Sequence, residues 1–446
     1  MSRAAYSRCA AALAALVFLT LGQGAGAADA TAFTAWAKRS AQPLLSVEPG
    51  ADAADLAGLV PITKGARVIA LGEPAHGAHE PLALRNRIIQ FLVAEQGIRA
   101  IALETGFTEA WAVNDFVQGG SGDASTVVRD SLSWGFGRYE ENVQLITWMR
   151  DYNRAHEPKV RFYGMDLSGA DDDGSFPDAR VSVEAVTAYL ERVDPVGSLH
   201  VRGATEPHLA QFSESAYPAL TREQKAAFRL SLDGLIDYLH RNRSRLVAAS
   251  SAGEVERSLQ NLVVARALVS QFELGAPGDG TTLRPEDWRR VNVRDAAMAA
   301  NVRWVLKQEG SRGRVLIFAH LAHVMSSRLR GGMWSVFPQS PTMMGLHLRN
   351  SFGAGLRVIA MLGADSSGAL PQGPPPAASL EAAIQKVGSP LLLLDLHHAD
   401  AAVREWLQQP HPVRANFTSQ MDVAPGKAFD AVVFIDRLTP ADVRGR

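Results

Sequence analysis

Residues 67–97 read RVIALGEPAHGAHEPLALRNRIIQFLVAEQG, and this stretch decides the fold. Its first five residues, RVIAL, are nearly continuous in apolar side chains rather than alternating. That pattern belongs to a strand buried on both faces. A turn-rich segment, GEPAHGAHE, follows. A helix over 81–96 then opens on Pro81 in its first turn and stops at Gly97, a natural C-terminal cap. A buried strand leading through a glycine-containing loop into a helix is the opening unit of a parallel α/β sheet with right-handed crossovers.

Working outward, runs of the same kind recur at 99–103 (RAIAL), 160–163 (VRFY), 314–318 (RVLIF), 356–362 (LRVIAML), 390–394 (PLLLL) and 429–435 (FDAVVFI). Helical patterns over 108–118 and 139–156 separate the early ones, the second carrying Val143, Ile146 and Met149 on one stripe. Between about 181 and 308 no strand is expected. Segments 181–193, 222–250, 254–272 and 287–308 carry helical periodicity instead, the last starting after Pro285-Glu286-Asp287. The fold class expected is therefore α/β, a mainly parallel sheet flanked by helices with an inserted helical subdomain. The expected divisions are a signal peptide over 1–27, a first α/β part over 28–180, a helical insertion over 181–308 and a second α/β part over 309–446. Residues 363–379 (GADSSGALPQGPPPAAS) read as a Pro/Gly-rich loop. No internal repeat is present.

Composition narrows the function classes. The 446 residues carry 45 Lys+Arg against 46 Asp+Glu, a net charge of −1, so bulk electrostatics do not favour DNA or RNA as a partner. The single cysteine, Cys9, excludes a disulfide scaffold and a structural Cys-zinc site. Arg3 and Arg8 make a basic start, residues 10–21 an apolar run too short for a comfortable membrane span, and Ala25-Gly26-Ala27 a small-residue cleavage signal. Cleavage after Ala27 or Ala28 and a periplasmic or secreted location are expected, without stable membrane insertion.

In open α/β sheets ligands bind beyond the C-terminal ends of the strands. The first strand runs into Glu73, His76, His79 and Glu80, the second ends at Glu104, the third at Asp166, and the fourth at His320 and His323. A lone buried His or Glu is usually a satisfied structural residue; polar endings on four successive strands are a stronger signal. A histidine titrates near neutrality, so His76 or His320 can move protons at working pH. A carboxylate beside it, Glu73 or Glu104, would fix its tautomer and stabilise the imidazolium. Arg85, one turn into the following helix, is placed to brace carboxylates or stabilise an oxyanion. The plain alternative for Arg85 is a surface ion pair. Asp166, Trp134 and His79 are the candidate substrate-binding residues, although tryptophans at such positions are more often core or rim. His397-His398 closes another short strand as a candidate for the pocket edge.

This set resembles the erythromycin esterase family, which opens macrolactone rings by hydrolysis. The likeness rests on Gly72-Glu73-Pro74-Ala75-His76-Gly77, Arg85, Glu104 and Ala319-His320-Leu321-Ala322-His323-Val324. It rests further on 148–153 (WMRDYN), Gly164-Met165-Asp166, and Arg294-Asp295 followed by Met298 and Asn301. Any one motif is weak; the ordered set, from about 67 to 324, is specific. One departure is Leu321, where the family commonly has Asn. The resemblance implies His76 as the general base that activates water, with Glu73, Arg85, Glu104, His320 and His323 as companions and no covalent intermediate. No Gly-x-Ser-x-Gly elbow exists, which agrees with a water nucleophile.

The expected function is hydrolysis of a carboxylic ester, a macrolide lactone among the candidates, acting on a small molecule without a cofactor or bound metal. Two alternatives stand beside it. His76-x-x-His79 and His320-x-x-His323, with nearby glutamates, would suit a metal-dependent hydrolase. A periplasmic binding protein for a metal, haem or small hydrophobe would use the tryptophans but would not need the Glu/His set.

Overall fold

The structure is a computed structural model and describes residues 23–172, 174–275, 284–367, 370–371, 373–416 and 419–443. Ten strands occur among them: β1 (Gln42–Pro43), β2 (Val68–Glu73), β3 (Ala100–Gly106), β4 (Arg161–Asp166), β5 (Val315–His320), β6 (Leu356–Ser366), β7 (Leu391–Asp395), β8 (His411–Asn416), β9 (Ser419–Val423) and β10 (Ala431–Leu438). Eight of them form one sheet in the order β1-β7-β10-β6-β2-β5-β3-β4, while β8 and β9 pair as a separate antiparallel hairpin.

The continuous apolar runs become strands buried on both faces. Val68 and Ala70 of β2 face one apolar layer, and Ile69 and Leu71 face the other. Val315 and Ile317 alternate with Leu316 and Phe318 on β5 in the same way. The helices His79–Gln96 and Glu140–Ala155 cover the second layer through Leu84, Ile88, Ile146 and Met149. Helices Val181–Val193, Ala252–Phe272 and Trp288–Gln308 cover the first through Val186, Leu268 and Val302. Full burial of each such aliphatic side chain contributes roughly 1.5–3 kcal/mol, which explains why both faces must be covered. Helix His79–Gln96 ends where expected: Gly97 caps it in the left-handed region, at φ +65°.

The sheet is mostly parallel, with one reversal. β7 runs antiparallel to both β10 and β1. The end of β7 therefore lies at the opposite edge of the sheet from the ends of β2, β3 and β5. His397 there bonds Asp395 and lies 3.1 Å from Asp430, which precedes β10. The expectation that His397-His398 borders the pocket is overturned by strand direction, which an apolar run does not encode.

Two segment boundaries also move. The reading of 222–250 as one helix gives way to Arg222–Arg241 and Arg243–Ala249, broken at Asn242. The segment read as a loop from 363 begins as strand, because β6 continues through Ser366 beside β10. Between 181 and 308 the described residues hold helices and no strand. Cys9 and the apolar run 10–21 lie outside the described residues. Ala27 and Ala28 fall in helix Gln23–Ser40, whose Phe33 and Trp36 are buried in the core. Among the described residues no helix is long and apolar enough to cross a membrane.

Candidate active site

The chain passes from β2 to β3, yet β5 is inserted between them and β6 lies on the other side of β2. The crevice at such a switch point opens above the strand ends, and the candidate residues gather there. Register does much of the placing. Glu73, the last residue of β2, pairs with His320, the last of β5. β3 meets β5 with Leu103 beside Phe318, which carries the next residue, Glu104, to the same level. The β3–β4 pairing is interrupted between Leu103 and Gly106. A bulge there re-aims the side chain of Glu104 out of the ladder.

Two glycines let the motif close. A Cβ on Gly72 would sit 2.6 Å from Val324 and 2.7 Å from Leu321, so only glycine admits the turn after β5 against β2. Leu321 is fully buried at that contact. Gly77 holds φ +82°, and a Cβ there would lie 2.9 Å from the Tyr139 hydroxyl. The turn between them brings the His76 ring back onto Glu73, Nδ1 to Oε1 2.6 Å. Glu73 is fully buried while His76 keeps a third of its side chain exposed, facing the crevice.

The two carboxyls differ. Burial pushes Glu73 above its ordinary range, only partly offset by His76. Glu104 also suffers burial, but His323, His76 and Arg294 outweigh it and hold the carboxyl well below the usual range. Glu104 Oε1 accepts from Arg294 at 2.7 Å and Oε2 from the His320 backbone N–H at 2.7 Å. The three imidazoles are likewise set apart. Burial would lower His76, yet the adjacent Glu73 carboxylate pushes it up to about 8. Burial and the neighbouring His76 push His320 down to about 3, so that ring is neutral. Its Nδ1 accepts the Ala322 N–H at 3.3 Å, which assigns the ring proton to Nε2. His323 is raised by Asp295 and Glu104 against burial, with Nδ1 2.9 Å from Asp295 and Nε2 3.4 Å from Glu104. The His76 and His320 rings lie edge to face, 5.4 Å between centroids, and Phe136 packs on His76 at 5.0 Å.

The crevice has a volume of about 480 Å³ and is lined by His76, Glu104, His320, His323, Trp134 and Arg294, among others. Of the expected substrate-binding residues, Trp134 borders it. Trp134 stands at φ +61°, in the left-handed region unusual for a tryptophan. Its neighbour Ser133 is tied to Thr105 and Gly106 of β3. Asp166 does not line the crevice; it is buried beneath Arg294, whose Nε lies 3.1 Å from both carboxylate oxygens. His79 is also outside. Its two nitrogens are 2.7 Å from Glu141 and 2.9 Å from Glu48, at the start of the helix it opens. Of the other tryptophans, Trp334 lines the crevice, whereas Trp111 and Trp304 pack against Phe107 and Tyr163.

Arg85 is placed differently from both readings of it. It is fully buried, hydrogen-bonded to Asn86 and Asn142 and stacked 4.7 Å from the Phe318 ring. It acts on Glu73 only as a nearby positive charge. The guanidinium that braces two carboxylates is Arg294. It bridges Asp166 and Glu104, lies 3.3 Å from His323 Nε2 and stacks 3.9 Å over Trp134. The motif match at Arg294-Asp295 assigns neither residue a role. The available signal was their helical spacing with Asn301, which pins the helix to β4 through the Met165 carbonyl.

The two His-x-x-His pairs do not converge. His79 faces Glu141 rather than His76, and the His320 and His323 rings are 6.4 Å apart on different partners.

Fold and site together define an α/β protein whose crevice is built on acid–base side chains and a bracing arginine. The chain belongs to the erythromycin esterase family, whose profile matches residues 93–438. That membership suggests a hydrolase. An erythromycin esterase type II of Escherichia coli is 24% identical over 337 residues, covering 72% of this chain and 74% of its own length. A putative hydrolase of Bacillus subtilis (strain 168), YbfO, is 22% identical and 91% of each chain is covered. The fold is shared with a succinoglycan biosynthesis protein (TM-score 0.76, 20% identity, 95% of this chain and 100% of the other). It is shared as well with an erythromycin esterase mutant in its open conformation (TM-score 0.64, 20% identity, 89% and 97%).

Proposed function

We propose that the protein hydrolyses a carboxylic ester with a water molecule activated by His76. The observation that carries this reading is the 2.6 Å contact between His76 Nδ1 and the buried Glu73, which leaves Nε2 of a partly exposed imidazole toward the crevice. In this mechanism Nε2 takes a proton from water as the water oxygen attacks the ester carbonyl carbon. The carbonyl oxygen gains negative charge, for which the neutral His320 Nε2–H and the Arg294 guanidinium, both on the crevice lining, are the proposed donors. The C–O bond to the alcohol then breaks, and the proton held by His76 passes to the leaving alkoxide. Acid and alcohol are the two products.

Glu73 orients His76 and stabilises its cation, and the ionised Glu104 keeps Arg294 and His323 in place. We further read residues 181–308 as an insertion between two α/β parts, 28–180 and 309–446. Its Gln271, Arg290 and Arg294 line the crevice, which supports a substrate-facing role. The basic start, apolar run and Ala25-Gly26-Ala27 support export to the periplasm or beyond. The likeness to an erythromycin esterase makes a macrolide lactone one candidate substrate.

The test is a screen of esters and macrolides by mass spectrometry for the gain of one water, repeated after exhaustive chelation. Turnover that survives chelation is the expected result. Loss of activity on chelation and its return with a metal would make His76 a ligand instead of the base. The pH profile gives a second check. With His76 pushed up to about 8, kcat/KM rises with pH and levels off above about pH 8. A plateau already reached near pH 6 would assign the base to another group.

A further inference from the structure

The lining of the crevice carries polar atoms that the acid–base cluster does not use. Gln271 is only 4% exposed, and its Oε1 has no hydrogen-bond partner although the residue lines the crevice. The indole Nε1 atoms of Trp134 and Trp334, both on the same crevice, are buried and unpartnered too. A buried polar group without a partner costs about 1–3 kcal/mol, so such groups in a cleft await a ligand. Glu214 and Arg290 make no similar demand, whereas Asp295 Oδ2, on the same crevice, is buried and unpartnered as well. Glu214 is paired with Arg290 and accepts the Phe176 backbone N–H at 3.2 Å, and Arg290 also donates to the Gln271 carbonyl.

The ligand must therefore offer an acceptor to two indole N–H groups, a partner to one amide and a donor to one carboxylate oxygen. A hydroxyl can do each, since it donates and accepts. The requirement holds whichever way the Gln271 amide is turned, because either end meets a hydroxyl. The same lining includes apolar surface from Phe176, Val291 and Met343. A saturated ring with one hydrocarbon face and several hydroxyls fits both features.

Resting on the hydrolase reading above, we propose that the substrate is the ester of a polyhydroxylated ring, an acylated sugar or cyclic polyol. The hydroxyls are held by Gln271, Trp334 and Trp134 while the acyl carbonyl lies at His76. These three residues set specificity; they take no part in proton transfer.

The experiment compares a glucose monoacetate with cyclohexyl acetate, an ester of similar ring size lacking the extra hydroxyls. Wild type is expected to favour the sugar ester in kcat/KM by at least about tenfold, the range of one hydrogen bond to an otherwise unsatisfied buried group. Gln271→Leu, and the gentler Trp334→Phe that keeps a ring but removes the N–H, are expected to shrink that ratio, chiefly through KM. Equal kcat/KM for the two esters in wild type would overturn the substrate class while leaving the hydrolase reading intact. So would variants that lower both esters by the same factor. If neither ester is cleaved, the hydrolase reading still stands or falls by the wider screen, and binding decides the present proposal. Saturable quenching of tryptophan fluorescence by methyl glucoside but not by cyclohexanol then supports the proposal, and no quenching overturns it.

Discussion

Glu73 and Glu104 are both buried carboxyls at the ends of strands in one crevice, yet their surroundings push them in opposite directions. Glu73 has His76 and the nearby charge of Arg85 to offset its burial; Glu104 has His323, His76, Arg294 and a backbone N–H. Two carboxyls separated in this way are the usual basis for dividing roles in proton transfer. His76→Ala is accordingly expected to lower kcat by ~10²–10⁴ with the fold intact. A folded variant with wild-type turnover would remove His76 from the chemistry. Arg294 makes the next prediction. Its planar fork spans Asp166 and Glu104, and an ammonium cannot bond both in that geometry. Arg294→Lys, measured by steady-state kinetics, is expected to reduce kcat/KM by ~10²-fold or more, in the range seen when an oxyanion donor is lost. Unchanged kinetics would leave Arg294 a structural brace. Glu73, His76, Glu104, His320 and His323 could be picked out as strand-end residues because each follows an apolar run. Arg294 could not, because its helix reaches the crevice only through tertiary packing.

At the scale of elements, the turn after β2 and the short turn after β5 are made for one another. Their contact is the missing side chain of Gly72 against Val324 and Leu321. Gly72→Ala puts a methyl group 2.6 Å from Val324, and overpacking of this kind costs roughly 1–3 kcal/mol. Thermal unfolding of Gly72→Ala is expected to show that loss together with reduced turnover, since the displaced turn carries His320 and His323. Wild-type stability would mean that the turn relaxes freely. The strands β2 to β7 and β10 and the long helices packed on them were legible because two-sided burial leaves apolar runs and 3.6-residue stripes in the sequence; β1, the β8–β9 hairpin and most of the shorter helices were not. The break at Asn242 and the extra residues of β6 were not. Asn242 interrupts a pattern whose periodicity continues on both sides, and β6 is lengthened by pairing with β10, a partner seventy residues away.

For the whole molecule, stability and pH are linked through histidines away from the crevice. His79 is raised to about 9 by its bond to Glu141, and His397 to about 9 by its bond to Asp395. Both start from an ordinary value of 6.5, so the folded state binds these protons more tightly than the unfolded chain. Their contribution is fully present below about pH 6.5 and is lost as pH rises through about 9. Tm is therefore expected to fall across that window, and the double variant His79→Gln/His397→Gln to flatten the fall. A wild-type Tm independent of pH between 6.5 and 9 would contradict it.

Local composition was sufficient to determine the α/β class, the strand–loop–helix unit at 67–97 and the polar endings of four strands. Those features follow from which side chains must leave water and which residues tolerate a tight turn. Three matters were decided only by tertiary structure. β7 runs against its neighbours, which takes His397 to the far edge. Arg85 is enclosed by Asn86, Asn142 and Phe318, whereas Arg294 arrives from a helix nearly two hundred residues after Glu104. His79 turns outward to Glu141 although it lies three residues from His76. Each depends on strand direction or on a partner distant in the chain. Residue type and spacing carry neither, because burial preference is local while the choice of partner belongs to the assembled sheet.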